Sequence, residues 1–264
     1  MSLPTALTIA GSDSGGGAGI QADLKTFQEL DVFGTSVLVA LTAQNTMGVH
    51  AVHEIPAEFV TAQLDAVVTD FGVGAVKTGM LANVAIIDAV TEGIERHGIA
   101  HLIVDPVCAS THGDPLLRPD AVDALRERLL PLAEVVTPNL GEVAVLCGVE
   151  VANVGDLNRA AQAMKNLGPR WVLIKGGHLP DSGDAIDLLY DGEQTFWISD
   201  ARVDTQHTHG TGCTLAAAIT AYRARGLDVV DAVRAAKEFV TGAIRHALHL
   251  GKGIGPVDHG WRRR

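Results

Sequence analysis

An α/β fold built around a mostly parallel sheet is the architecture this sequence predicts, and three observations predict it. The strand-like segments are short, continuous apolar runs rather than alternating ones, which is the pattern of strands buried on both faces. Helical patterns lie between most of them. The residues that end the runs are polar or glycine-rich, as expected where ligands meet the carboxyl ends of parallel strands.

Taken in order, Ala6 to Ala10 reads as a buried strand and Ile20 to Leu30 as the helix after it. Ser36 to Ala43 is a second strand, followed by the turn Asn45-Thr46-Met47-Gly48 and the edge-like alternation Val49 to His53. Val60, Leu64, Val67, Val68 and Phe71 keep helical spacing after Pro56. Gly74 to Lys77, Leu102 to Asp105, Val135 to Thr137 and Trp171 to Lys175 are short apolar strands. Val84 to Arg96 and Ala121 to Leu130 are among the helices between them. The Gly183-Asp184 and Asp191-Gly192 pairs punctuate two further strands, Ala185–Tyr190 and Thr195–Ile198, read as a hairpin. Helices from about Thr211 to Arg225 and from Asp228 to Leu248 close the chain.

With 264 residues, 47% of them hydrophobic and 19% charged, the chain can bury a sizeable core and is not disordered. It shows no repeat, low-complexity tract or linker, and its length allows one large α/β domain or two small ones. No apolar run reaches the roughly 18 residues of a spanning helix. The opening Met1-Ser2-Leu3-Pro4-Thr5 lacks the basic and apolar regions of a signal peptide. Three cysteines without CxxC spacing suit a reducing cytoplasm and argue against structural zinc. A net charge of −11 disfavours nucleic acid or an acidic membrane as partner. An anionic substrate must then be held by local dipoles, a few lysines and a metal.

The most telling segment is Thr208-His209-Gly210-Thr211-Gly212-Cys213-Thr214, which runs into the apolar helix pattern from Leu215. Its glycines allow close backbone approach, and the free amides and partial positive charge of the helix start make an anion site. Cys213 inside that site is expected to lose its proton below the ordinary thiol value of about 8.5. Gly11 to Gly19 forms a second glycine-rich strand-to-helix turn. It is neither a P-loop, lacking GK[ST], nor a dinucleotide fingerprint, since Ile20 stands where the third glycine belongs. Asp23, one turn into the following helix, is read either as part of that ligand loop or as a solvated helix-start carboxylate. Gln44 ends the second strand with an amide that can donate and accept together, which suits an aminopyrimidine edge. Later strand ends bring Asp105 and Glu142 as the carboxylates best placed to approach Mg²⁺, and Lys175 as the lysine best placed for a nucleotide phosphate.

The segments AGSDSGGGAGIQADLKTF, TAQNT, KTGML, VDPV, TPNLGE, KGGH, HTHGTGCT and GKGIGPV together resemble the hydroxymethylpyrimidine/phosphomethylpyrimidine kinases of the ribokinase-like superfamily, from about Ala6 to Val257. The resemblance implies a ribokinase-like three-layer α/β/α sandwich, a single domain over 1–264 without a large separate lid domain. It implies ATP-dependent phosphorylation of 4-amino-5-hydroxymethyl-2-methylpyrimidine, then of its monophosphate, in thiamine biosynthesis. Carried over residue by residue, Cys213 is the base, and the amides of Gly210, Thr211 and Gly212 hold the transferring phosphoryl group. Gln44, Asp23, Gly11, Met80 and Val107 form the pyrimidine pocket. Lys175, Asn139 and Thr208 fall on nucleotide-phosphate positions, with Glu142 and Asp105 serving Mg²⁺. A structural role is the expectation for His209. The resemblance, with the exposed-edge reading of Val49 to His53, suggests a homodimer. Pyridoxal kinases of the same clan also carry HTHGTGC, so the cysteine alone does not choose the substrate. A pyrimidine-binding protein without catalysis is the third reading, opposed by the intact cysteine loop and both carboxylates. Asp181 to Asp204 is the stretch in which a short flap is sought.

Overall fold

The computed structural model describes residues 3–109, 116–177, 179 and 183–264. Nine strands among them form one sheet in the order β3-β2-β1-β4-β5-β6-β7-β8-β9. These are β1 (Thr5–Ser12), β2 (Phe33–Asn45), β3 (Gly48–Glu54), β4 (Ala75–Thr78), β5 (Leu102–Val104), β6 (Val135–Val136), β7 (Trp171–Lys175), β8 (Asp184–Tyr190) and β9 (Thr195–Ala201). The six strands from β2 to β7 in this order run parallel, while β3 at one edge and β8 and β9 at the other are antiparallel.

Alternate residues of the central strands point to opposite faces, and both faces are apolar. Leu7, Ile9, Val76, Leu102, Val104 and Ile174 pack on one side with Leu64, Ile87 and Val143. That side carries α2 (Ala57–Phe71), α3 (Val84–Arg96), α4 (Pro119–Ala124), α5 (Leu140–Cys147) and α6 (Leu157–Lys165). Ala6, Ala75, Ile103, Val135 and Leu173 face the other side, against α1 (Gly19–Glu29), α7 (Thr211–Ala224) and α8 (Val229–Arg245). The result is the expected three-layer sandwich. In α7, Ala216, Ala217, Ala218 and Ala221 are buried, so this helix has no polar face and lies close on the sheet. Burying a side chain as large as Phe27 or Phe239 beside it contributes about 1.5–3 kcal/mol.

Two departures from the sequence reading have local causes. β2 begins at Phe33, three residues before the apolar run, because its backbone already pairs with β1 there although Phe33 is exposed and Gly34 and Thr35 are not apolar side chains. The helix expected over Ala121 to Leu130 is regular only to Ala124, then passes through a π turn, Leu125–Leu129, and a 3₁₀ turn, Leu130–Leu132. Pro131, which has no N–H to donate, lies in that last turn. In the stretch expected to hold a flap, 184–190 and 195–201 are β8 and β9 and 191–194 the turn between them; His178, Asp181 and Ser182 lie outside the described residues.

The order places β1 between β2 and β4, so the chain winds outward in opposite directions from β1. Such a switch point leaves a crevice at the carboxyl ends of the strands.

Candidate active site

Two glycine-rich turns meet over that crevice. Asp13, at the end of β1, is buried and accepts the N–H groups of Gly15, Gly17 and Ala18 at 2.8–3.0 Å. It also holds His209 Nε2 at 2.9 Å, tying the first turn to the loop that opens α7. Burial raises the Asp13 carboxyl, but His209 and the amides outweigh it and the net shift is downward. Gly210, the N-cap of α7, has φ +85°, and a Cβ there would lie 1.8 Å from the Gly17 carbonyl oxygen. No other residue type fits between the two turns.

Their contact brings two helix starts to one sulfur. Gly19, the first residue of α1, donates its N–H to the Cys213 thiol, which itself lies in the first turn of α7. The Thr211 hydroxyl donates to the Thr208 carbonyl at 2.7 Å and closes the loop. The Thr211 N–H donates to the same carbonyl at 3.2 Å, while Gly212, in the first turn of α7, carries an N–H that the helix itself leaves without a partner.

Beneath the thiol lies a charge pair hidden in the core. Lys77 of β4 and Asp23 of α1 are both fully buried, with Lys77 Nζ 2.9 and 2.8 Å from the two carboxylate oxygens. The Thr8 hydroxyl donates to the same carboxylate at 2.6 Å. Burial, the largest single effect, pushes Lys77 down, but the charge and hydrogen bonds of Asp23 together with the charges of Cys213 and Asp105 outweigh it and hold the ammonium above the ordinary lysine value. Asp23 is therefore a buried strut under the pocket and not a solvated helix-start carboxylate.

A second charge cluster lines the neighbouring strand ends. Lys175, last in β7, places its ammonium 3.0 Å from Asp105 and 3.8 Å from Glu142. The Thr137 hydroxyl donates to Asp105 at 3.2 Å. Glu142 and Asn139 form a reciprocal capping box at the start of α5, each side chain accepting the other's backbone N–H. Burial raises Glu142; Lys175 opposes this, Asp105 adds to it, and the net value is about 7. A Cβ at Gly212 would lie 3.4 Å from Lys175 Nζ and 3.7 Å from an Asp105 oxygen, which puts this cluster directly beside the Cys213 loop.

The expectation for Cys213 is corrected here. Its thiol is pushed up to about 11, not down. Burial is the largest cause and the charges of Asp23 and Asp105 add to it, against Lys77 and the Gly19 N–H.

Gln44, the penultimate residue of β2, follows a register shift between Ala43 and Gln44, a device that re-aims a side chain. Its side-chain Oε1 accepts from the Thr42 hydroxyl at 3.2 Å, and its backbone is fixed by the Ser14 hydroxyl at 2.8 Å. Gly11 packs against Met80, whose Cε lies 2.5 Å from where a Cβ would stand. Val107, two residues beyond Asp105, is partly exposed. Lys77 and Asp13 were given no role from the sequence. The signal for Lys77 was a lysine inside the apolar strand Ala75–Thr78, since a charge there demands a buried partner.

Residues 13–258 match the family model described as phosphomethylpyrimidine kinase. The chain belongs to the phosphomethylpyrimidine kinase family. It is a kinase of ribokinase-like fold. A hydroxymethylpyrimidine/phosphomethylpyrimidine kinase of Streptomyces coelicolor is 57% identical over 98% of this chain and 95% of that protein. Among solved structures, an ADP complex of Bacillus subtilis pyridoxal kinase superposes with a TM-score of 0.92 at 43% identity, covering 99% of both chains. A phosphomethylpyrimidine kinase of Clostridium difficile gives a TM-score of 0.81 at 41% identity, over 91% of this chain and 99% of that one. Among the described residues, no helix is long and apolar enough to cross a membrane, and no three His, Cys, Asp or Glu side chains gather as a metal cage.

Proposed function

We propose that the chain, acting as one domain over residues 1–264, transfers the γ-phosphoryl group of ATP to 4-amino-5-hydroxymethyl-2-methylpyrimidine and then to its monophosphate. The observation that carries this reading is the convergence of two helix starts on Cys213, with the Lys175 cluster on one side and the Gln44 strand end beyond the glycine turn. One side can hold a polyphosphate and the other an aminopyrimidine. On this reading the enzyme is a cytoplasmic homodimer.

Gln44 reads the pyrimidine edge with its amide N–H₂, while Gly11, Met80 and Val107 wall the ring. Asp23 supports that floor through Lys77 and leaves no oxygen uncommitted. The amides of Gly210, Thr211 and Gly212 hold the charge that spreads over the transferring phosphoryl oxygens, the dominant contribution in such reactions. Lys175 meets the nucleotide phosphates. Asn139 serves them by holding Glu142 in place, and Thr208 by closing the loop through Thr211.

Asp105 and Glu142 offer hard oxygen donors on either side of one ammonium, a set that suits a cation shared with phosphate oxygens. When bound there, Mg²⁺ would neutralise phosphate charge. As the hydroxymethyl oxygen bonds to phosphorus and the bond to the ADP oxygen breaks, the hydroxyl proton passes to Cys213 Sγ. The thiol must be ionised to accept it, so kcat should climb with pH above neutrality, given a value of about 11 in the free protein.

The pyridoxal kinase of Bacillus subtilis, with its TM-score of 0.92, supports a second reading in which the acceptor is the vitamin B6 aldehyde. Product formation with Mg·ATP decides, with the hydroxymethylpyrimidine, its monophosphate and pyridoxal offered in parallel and read by mass spectrometry. Mono- and pyrophosphate of the pyrimidine are the expected products. Pyridoxal phosphate as the dominant product would transfer the assignment to the second reading.

A further inference from the structure

The segment Leu250 to Val257, which contains GKGIGPV, touches both ends of the site without belonging to either. One end grips the tip of the β2–β3 hairpin. The Thr46 hydroxyl accepts the N–H groups of Lys252 and Gly253, each at 3.2 Å, and the Thr46 carbonyl accepts that of Ile254 at 3.0 Å. The approach is so close that a Cβ on Gly253 would stand 2.0 Å from the Thr46 carbonyl oxygen. The other end grips the catalytic loop. His209 donates its N–H to the Gly255 carbonyl at 3.1 Å, and Val257 donates to the His209 carbonyl at 3.2 Å. Gly255 in turn donates to His207 Nδ1 at 2.9 Å.

Thr46 lies two residues past Gln44, in a two-residue turn where Asn45 pairs with Gly48. The other support of the neighbouring Gln44 and Asn45 is local: Ser14 and Thr42 reach Gln44, Asn45 Oδ1 accepts the Met47 N–H, and both residues pair with the edge strand β3. A hairpin tip at a sheet edge is the part of a sheet most free to move, and a side chain misplaced by about 1 Å loses its ligand contact. We propose that this C-terminal segment is a positioning strap that fixes Gln44 for the acceptor substrate through Thr46, an inference that rests on the functional reading above. Thr46 and Gly253 are its positioning residues. Because the strap also holds His209, it keeps the acceptor end in register with the Cys213 loop.

The test compares Thr46→Val, which keeps the branched shape but removes the acceptor oxygen, with Thr46→Ser, which keeps the oxygen. Thr46→Val should raise KM for the aminopyrimidine by roughly 3- to 10-fold, the loss expected for one or two hydrogen bonds. KM for ATP should stay within about two-fold, and Thr46→Ser should restore the pyrimidine value. Amide hydrogen exchange in the same variants gives a readout independent of activity: Gln44, Gly253 and Ile254 should exchange faster together in Thr46→Val only. An equal rise in both KM values, Thr46→Ser no better than Thr46→Val, or unchanged exchange would overturn the strap. Should the wild-type chain phosphorylate no aminopyrimidine, the functional reading fails, and the exchange data alone decide the strap.

Discussion

Two lysines lie on either side of Cys213, and their surroundings differ in one respect that separates support from function. Lys77 is sealed, with no exposed side-chain surface, and both oxygens of Asp23 are spent on it. Lys175 is reached by solvent, with 14% of its side chain exposed, and is shared between Asp105 at 3.0 Å and Glu142 at 3.8 Å. A sealed pair whose carboxylate oxygens are both committed at short range has little capacity left for a ligand. A looser trio of one cation and two carboxylates can exchange partners when phosphate and a divalent ion arrive. The first arrangement sets the shape of the site, and the second responds to what binds in it.

The largest effect should come from breaking the sealed pair. Lys77→Met leaves Asp23 as a buried charge without a counter-ion, and removal of one partner from such a pair costs about 3–5 kcal/mol. Thermal unfolding should therefore drop by many degrees. A variant that melts with the wild type would show that Asp23 is held neutral by its surroundings, and the distinction between the two lysines would weaken.

Cys213 is the point both lysines influence, so replacing it tests chemistry without touching either pair. Cys213→Ala should lower kcat by about 10²-fold or more, the range for a positioned base, with stability little changed. Full activity would remove the sulfur from the mechanism. In the wild type, alkylation of Cys213 by iodoacetamide should be slow at neutral pH and accelerate as pH rises toward about 11, because only the thiolate attacks.

These contrasts also mark what the sequence could and could not disclose. The strands were readable because Ile103, Val135 and Leu173 sit in unbroken apolar runs, and doubly buried parallel strands need such runs. Strand ends such as Lys175 and Asp105 stood out because a polar residue that closes an apolar run in such a sheet faces the ligand edge. The Lys77–Asp23 partnership spans 54 positions and the Asp13–His209 pair 196, and neither distance leaves a local pattern. The direction of the Cys213 shift was misjudged for the same reason. A helix start is visible in sequence and lowers a thiol's pKa, whereas burial beside Asp23 and Asp105 raises it and appears only when the layers close. The capping box of Asn139 and Glu142, in contrast, is spaced by three residues and lies in the open in Asn139-Leu140-Gly141-Glu142.

Lys175→Met should show the opposite signature to Lys77→Met. Losing a charge-assisted contact to phosphate should lower kcat/KM for ATP by roughly 10- to 100-fold. The melting temperature should fall less than in Lys77→Met, since solvent already reaches this site. A larger loss of stability than in Lys77→Met, with ATP kinetics intact, would reverse the roles assigned to the two lysines.

The smallest effect is a change of pH profile at Glu142. Its carboxyl is raised from 4.5 to about 7, so the folded chain holds a proton there that the unfolded chain has released. Between these two values stability should fall as pH rises, and above about 7 this contribution should level off. Cation and nucleotide binding has the reverse dependence, because only the ionised carboxylate is a ligand for a hard cation. kcat/KM for ATP should therefore rise through the same region around pH 7. Glu142→Gln keeps the side-chain acceptor for the Asn139 N–H but cannot ionise, so it should remove both slopes while the α5 cap persists. Chemical denaturation and steady-state kinetics from pH 5 to 8 on both proteins measure the two slopes independently. If the kinetic rise survives in Glu142→Gln, the titrating group on the Lys175 side is not Glu142, and cation binding there has to be assigned to Asp105 alone.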